Sequence, residues 1–351
     1  MKIKINNKFF LYFNSFAVSK KLDSVASCFS FVAKFDPTIL EHRILFKPLS
    51  YPEIQIYTDS GKLLLTGEIT NHDFNSESSP GLVQVSGYSK GGMLEDVTIP
   101  LTAYPLENLN SNLKDISNKL LGLYGLNLIV DESVSKEVGL NYEKTVAEST
   151  EDIKSYLCKL AGQRNIVMSH DVYGNIIYFR PNTNAKSKHY FTEENTIKMS
   201  LSVDGQSMHS DISVIRQPSM KNSGAATNDG IKNGQVKRFR PTVQSMSSGE
   251  DTDTSKAVKN ALASELAGIS LTIEFDRWLE DIECGDIVEV HNHEIYLMKR
   301  IRFMVMDIDY NQNEKENTMS LKLVLPEAFS GETPKNIFDY DNAGKNKERH
   351  G

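Results

Sequence analysis

The sequence predicts a β-rich α+β chain: two similar small antiparallel β-barrels with an α+β module inserted between them. Three observations carry this expectation. β-Branched and aromatic runs with period-two alternation fill both ends of the chain. After Pro100 the apolar spacing switches to three- and four-residue steps. One strand–turn–strand pattern near residue 54 is echoed near residue 287.

The first barrel is expected over residues 1–100. Residues 9–16 and 28–35 read as strands, the second with Phe29, Phe31, Ala33 and Phe35 on one side. Residues 53–57 and 62–70 flank Thr58-Asp59-Ser60-Gly61, whose turn chemistry makes them a hairpin. A further strand at 82–87 completes the set. The α+β module is expected over 101–190. Leu106, Leu109, Leu113, Ile116, Leu120 and Leu121 lie on one helical face, and a short strand follows at 126–130. A second helix is expected from about 150 to 163, capped by Ser149 or Thr150, with Glu151 and Asp152 in its first turn. Its apolar face is Ile153, Tyr156, Leu157, Leu160 and Ala161. A hairpin turning at 171–175 closes the module.

The second barrel is expected over 191–216 and 270–330. Between these pieces, 217–269 reads as a long loop, rich in Ser, Asn, Gly and Lys as far as 250, and a helix joining the α+β module. Residues 331–351 read as a flexible C-terminal tail. The echo pairs Ile54-Gln55-Ile56-Tyr57, turn, Leu63 to Ile69 with Ile287-Val288-Glu289-Val290, turn, Ile295 to Ile301. Hairpins resemble one another, so the pattern alone leaves duplication and coincidence both open.

Composition narrows the function. The chain has 351 residues, 39% hydrophobic and 24% charged, which suits a well-cored protein. No apolar run approaches the roughly 18 residues of a membrane span, and no signal peptide is expected, so synthesis is expected in the cytoplasm, without membrane insertion. Net charge is −7, opposite to what a nonspecific DNA binder needs. Cys28, Cys158 and Cys284 are too scattered for a disulfide framework or a zinc site.

Candidate chemistries meet simpler readings. His291-Asn292-His293 lacks a third metal ligand and reads as a polar hairpin turn. Gly87-Tyr88-Ser89-Lys90-Gly91 matches the Gly-x-Ser-x-Gly string, but that motif works on a strand-to-helix turn of a parallel sheet, and the surroundings here are antiparallel. It also lacks the ending of a P-loop. Asp276, Glu280 and Asp281 form no glycosidase frame and read as a solvated face. Trp278 reads as packing. Lys232, Lys237, Arg238 and Arg240 read as solvated or facing an acidic neighbour. No catalytic residue, cofactor or metal is expected.

Four stretches, in order, decide between the remaining classes. These are Val85-Ser86-Gly87-Tyr88-Ser89 with Leu94-Glu95-Asp96; Asp152 to Ala161 leading to Asp171-Val172-Tyr173-Gly174-Asn175-Ile176; Cys284-Gly285-Asp286-Ile287-Val288-Glu289-Val290; and Leu323-Val324-Leu325-Pro326-Glu327-Ala328-Phe329. Together they resemble the baseplate hub family of contractile-tailed phages, the late control protein D or spike hub family, whose relatives form the hub of type VI secretion spikes. The resemblance covers about residues 1–330. It departs at Cys284, where the family often has Pro.

The resemblance implies a virion protein of the tail baseplate, a homotrimer whose two barrels per chain alternate in a pseudo-sixfold ring. Such a ring joins the sixfold tail tube to the threefold central spike. Its implied partners are the spike protein, the tail tube or tube-initiator protein and the baseplate wedge proteins, with DNA passing through an acidic lumen without specific binding. The hairpins should build the ring, through Ile54, Ile56, Leu63, Leu65, Ile287, Val290, Ile295 and Leu297. The alternatives are a hub or spike component of a tailocin or type VI-like secretion apparatus, and a tail-associated peptidoglycan hydrolase.

Overall fold

The structure, a computed structural model, describes residues 1–76, 81–105, 107–216, 227–246 and 254–339. One sheet of thirteen strands runs through most of it, almost entirely antiparallel. Five of its strands form a first unit, side by side in the order Phe13–Lys21, Cys28–Lys34, Leu82–Ser89, Leu63–Asn75 and Glu53–Tyr57. Five more form a second unit with the same order: Lys198–Val203, Ile269–Phe275, Asn317–Val324, Leu297–Gln312 and Ile287–Asn292.

The correspondence holds residue by residue. Against the strand Leu82–Ser89 or its equivalent Asn317–Val324, each long strand shifts register at the same place, between Ile69 and Asn71 in the first unit and between Val305 and Asp307 in the second. Each is pinned ahead of that bulge by the same bond, Ile69 N to Pro52 O at 3.1 Å and Val305 N to Asp286 O at 2.9 Å. Carried through the ladders, this register lays Asp73-Phe74-Asn75 on Asp309-Tyr310-Asn311, and Ser202 on Ser19. The hairpin echo is thus one part of a five-strand repeat.

Neither unit closes into a barrel, contrary to the sequence expectation. The cause is the length of Leu297–Gln312, which at 16 residues outruns its own neighbour. Ile287–Asn292 covers only its first part, as far as Met304. Positions 307–312 take Phe13–Lys21 of the first unit instead. The sheet therefore passes from one unit into the next and does not curl back on itself.

Other differences have local causes. The strand expected over 9–16 is broken: Asn6 and Asn7, at φ 45° and 66°, turn Lys2–Ile5 back into the short strand Lys8–Phe10. The helix expected from Leu106 begins only at Leu113; Leu106 lies outside the described residues. Asn112 caps it, its Oδ1 accepting from Asp115 N at 2.9 Å, and the preceding Glu107–Asn112 pairs as a strand with Asn141–Val146. The second helix, Ile153–Gly162, is capped by Asp152 and not by Ser149 or Thr150. These two helices, with the Val167–His170 and Ile176–Phe179 hairpin, share a core of Leu113, Leu121, Ile153, Leu157, Leu160 and Tyr178.

Part of the expected loop at 217–269 is sheet. Thr227–Lys232 and Pro241–Met246 flank Asp211–Arg216, which leaves the second unit for this small sheet. The buried Ile212 and Val214 come from the central strand, so the flanking strands need few apolar residues, and their polar sequence hid them. Helix Thr254–Leu266 packs across the sheet through Val258, Leu262 and Leu266. The described part of the tail is anchored: Ile337 is buried, and Gln235 Nε2 donates to the carbonyls of Pro334 and Lys335. Residues 340–351 lie outside the described part.

Candidate functional site

The residues that suggested chemistry are tied into structure. Gly87 sits mid-strand where a Cβ would come within 2.0 Å of Glu68 O, and Ser89 is buried, its Oγ accepting from Ser27 N at 3.0 Å. A nucleophile so enclosed reaches no substrate. The His291 and His293 rings meet edge to face at 4.5 Å while Asn292 caps the following turn. Among the described residues no group of three or more His, Cys, Asp or Glu is placed to hold a metal. No helix among them is long and apolar enough to cross a membrane. Glu280 accepts from the Ser60 hydroxyl, and Asp281 accepts from or pairs with His189 Nε2 at 2.8 Å. Trp278 donates to the carbonyls of Asn311 and Thr318 and stands edge-on to Tyr310. Arg240 donates to Gly205 O and Gln206 O, and Lys237 lies 3.6 Å from Asp339.

One constellation escaped the sequence. Ser27 Oγ and His170 Nε2 are 2.7 Å apart beside a cleft of about 300 Å³. His170 Nδ1 faces the carbonyl of Ser24 at 2.7 Å, which fixes the proton on Nδ1 and leaves Nε2 to accept from Ser27. Burial pushes the imidazole pKa down, so the ring stays neutral. The pair has the outline of a serine–base dyad, yet Ser27 is 2% exposed and its own N–H is engaged. Its work is to bolt the α+β module to the sheet. The partners are 143 residues apart, and no sequence spacing announces them.

The interface candidates are mostly core. Ile54, Ile56, Leu65, Ile287, Val290 and Leu297 are buried within this chain, while Leu63 and Ile295 are half-buried. The hairpins therefore present few of these side chains to a second chain. What the sheet does present is a polar face: Ser15, Ser19, Ser30, Ser86, Thr272, Ser320 and Ser202 line it by strand alternation. Lys21, Lys34, Lys198 and Lys322 alternate with Glu68, Asp73, Glu274, Asp307 and Asp309 along the same face.

Where the units meet, opposite charges pair. Lys20, 8% exposed, donates to Glu283 Oε2 at 2.7 Å, and Lys62 pairs with the other carboxylate oxygen. Burial works against the Glu283 charge, but both ammonium groups outweigh it and hold the carboxyl below its usual range.

No protein-family model matches the sequence, and neither does any curated protein. Solved structures do. The 43 kDa tail protein of prophage MuSo2 from Shewanella oneidensis is similar at TM-score 0.76 and 15% identity, over 93% of this chain and 98% of that one. The tail protein from Neisseria meningitidis MC58 is similar at 0.73 and 16%, with the same coverage of 93% and 98%. The E. coli c3393 protein is similar at 0.58 and 10%, over 92% of this chain and 76% of that one. It is a component of the type VI secretion system with structural similarity to the T4 tail proteins gp27 and gp5. At these identities the likeness is one of fold: the chain has the architecture of prophage tail proteins and of a type VI secretion component.

Proposed function

We propose that this chain is a structural baseplate hub of a contractile phage tail, a homotrimer that joins the tail tube to the central spike. The observation that carries the reading is the whole-length fold match, in which 93% of this chain overlays 98% of each of two tail proteins, one of them from a prophage. The repeated unit supports it, since three chains of two units supply six similar elements around one axis. In this reading the polar face lines the bore. Its hydroxyls and mixed charges offer DNA no basic track, so a passing duplex is not held.

Absolute mass by light scattering, over a dilution series, tests the assembly. A mass near three chains of 39.5 kDa supports the hub. A monomer that persists after addition of the spike protein sinks it. The likeness to a type VI secretion component favours a second reading, a secretion-apparatus hub. Purification of the parent particle separates the two, because only the phage carries a DNA-filled head.

A further inference from the structure

The joint inside the chain is a template for a joint between chains. Positions 307–312 of the second unit's long strand pair with the first unit's first strand, with Asp309 opposite Ser19 and Tyr310 opposite Val18. Both units have such a long strand and such a first strand. The repeat therefore generates a second set of matching edges, positions 71–74 of Leu63–Asn75 and the strand Lys198–Val203. Among the described residues neither edge meets a strand. Glu53–Tyr57 reaches only as far as Glu68, and Lys198–Val203 pairs only with Ile269–Phe275. Uncovered edges of this kind invite pairing.

Burial separates the filled joint from the empty one. Val18 and Tyr310 are each 1% exposed and Ile308 is 0%. Their counterparts are open: Phe74, in the place of Tyr310, is 40% exposed, and Val203, in the place of Lys20, is 46% exposed. His72, in the place of Ile308, keeps a buried Nε2 with no hydrogen-bond partner among the described residues. The preceding loops behave alike. Glu283 and Gly285 close over Lys20 and Leu22, whereas the equivalent Leu49 and Tyr51 stand 76% and 51% exposed. The matching edges lie seven strand steps apart in the sheet, about 34 Å of sheet at the usual spacing, and within one copy they are not paired with each other.

We infer that the 71–74 edge of one copy adds antiparallel to Lys198–Val203 of the next, with Asp73 opposite Ser202 and Phe74 opposite Leu201. The joint buries Phe74, Leu49, Tyr51 and Val203 and continues the sheet from chain to chain. The two edges differ, so the contact is head-to-tail and closes into a ring or runs on. The inference rests on the hub reading for one thing, closure at three copies.

Cysteine cross-linking tests the register. In a Cys28→Ser background, Asp73→Cys is combined with Ser202→Cys, both at exposed positions. Mild oxidation should yield covalent dimers and trimers on a denaturing gel without reductant. Asp73→Cys with Ser200→Cys, two residues out of register, should cross-link at least tenfold less. Ser19→Cys with Asp309→Cys, the same pair inside the chain, shows that this geometry oxidises. A trimer by light scattering whose matched pair does no better than the offset pair overturns the edge pairing and leaves the hub standing. A monomer without cross-links overturns both. A ladder running past three chains keeps the edge pairing and overturns the ring.

Discussion

Tyr310 and Phe74 occupy the same place in two copies of one strand plan, and their surroundings could hardly differ more. Tyr310 is 1% exposed, covered by the neighbouring unit and touched edge-on by Trp278. Phe74 is 40% exposed and leans on Phe35, ring centroids 4.8 Å apart. The backbone register is shared to the residue, so the contrast comes from what stands beside each strand. A repeat inside one chain thus displays a finished joint and an unfinished one together, and the finished one tells what the other lacks.

Truncation gives the largest test of that contrast. Tyr310→Ala removes a fully enclosed ring and should cost about 3–5 kcal/mol of unfolding free energy. Phe74→Ala loses half-exposed aromatic contacts with Phe35 and His72 and should cost roughly 1 kcal/mol in the dissociated chain. Urea unfolding at a concentration where the chain is monomeric reads both. Equal losses would mean that the two positions are equivalent already in the isolated chain, and the contrast would vanish.

A smaller effect separates the chemistry of the joints. Glu283 is held ionised between Lys20 and Lys62, whereas the equivalent position in the first unit is the exposed Leu49. Because the folded pKa of Glu283 lies below its ordinary value of 4.5, its ion pair contributes stability above that value. The contribution is lost as pH falls through the folded value. Glu283→Gln should therefore be less stable than the parent by about 1 kcal/mol at pH 7, after allowance for solvent screening, with the gap closing toward pH 3. A gap that is unchanged across this range would show that the charge contributes nothing to the joint.

How much of this was legible follows from what each signal encodes. Period-two runs and the Asp-Ser-Gly turn marked the hairpin at 53–70 because both are local. Closure of a barrel is not local: it turns on where positions 307–312 find a partner, and that partner lies nearly three hundred residues earlier, at 16–21. The small sheet at 211–246 was hidden because its apolar residues sit on one strand, leaving its flanks with loop-like composition. The hairpin residues chosen as an interface were rightly seen as apolar, but an alternating strand buries its apolar side in its own core first. Edge positions such as Phe74 and Val203 carry no sequence mark that separates them from core strands. Only the residue-level repeat makes the Asp73-Phe74-Asn75 and Asp309-Tyr310-Asn311 match meaningful.

The finest probe of the comparison is a thiol. Cys28 lies on the polar face at a position that Ser270 holds in the second unit, and it is exposed, whereas Cys158 and Cys284 are half-buried. Burial, with the nearby Glu95, raises the Cys28 pKa. It pushes Cys158 to about 11 and Cys284 to about 12, so these two supply almost no thiolate near pH 8. Iodoacetamide at pH 8 should therefore modify Cys28 first in the native chain, and all three thiols after unfolding. If the polar face lines a bore, assembly should leave this small reagent's rate within a few-fold but slow a maleimide carried on a bulky polymer far more. A polymer that reacts equally fast with the monomer and the assembled particle would place Cys28 on the outside, and the face chosen for the bore would be the wrong one.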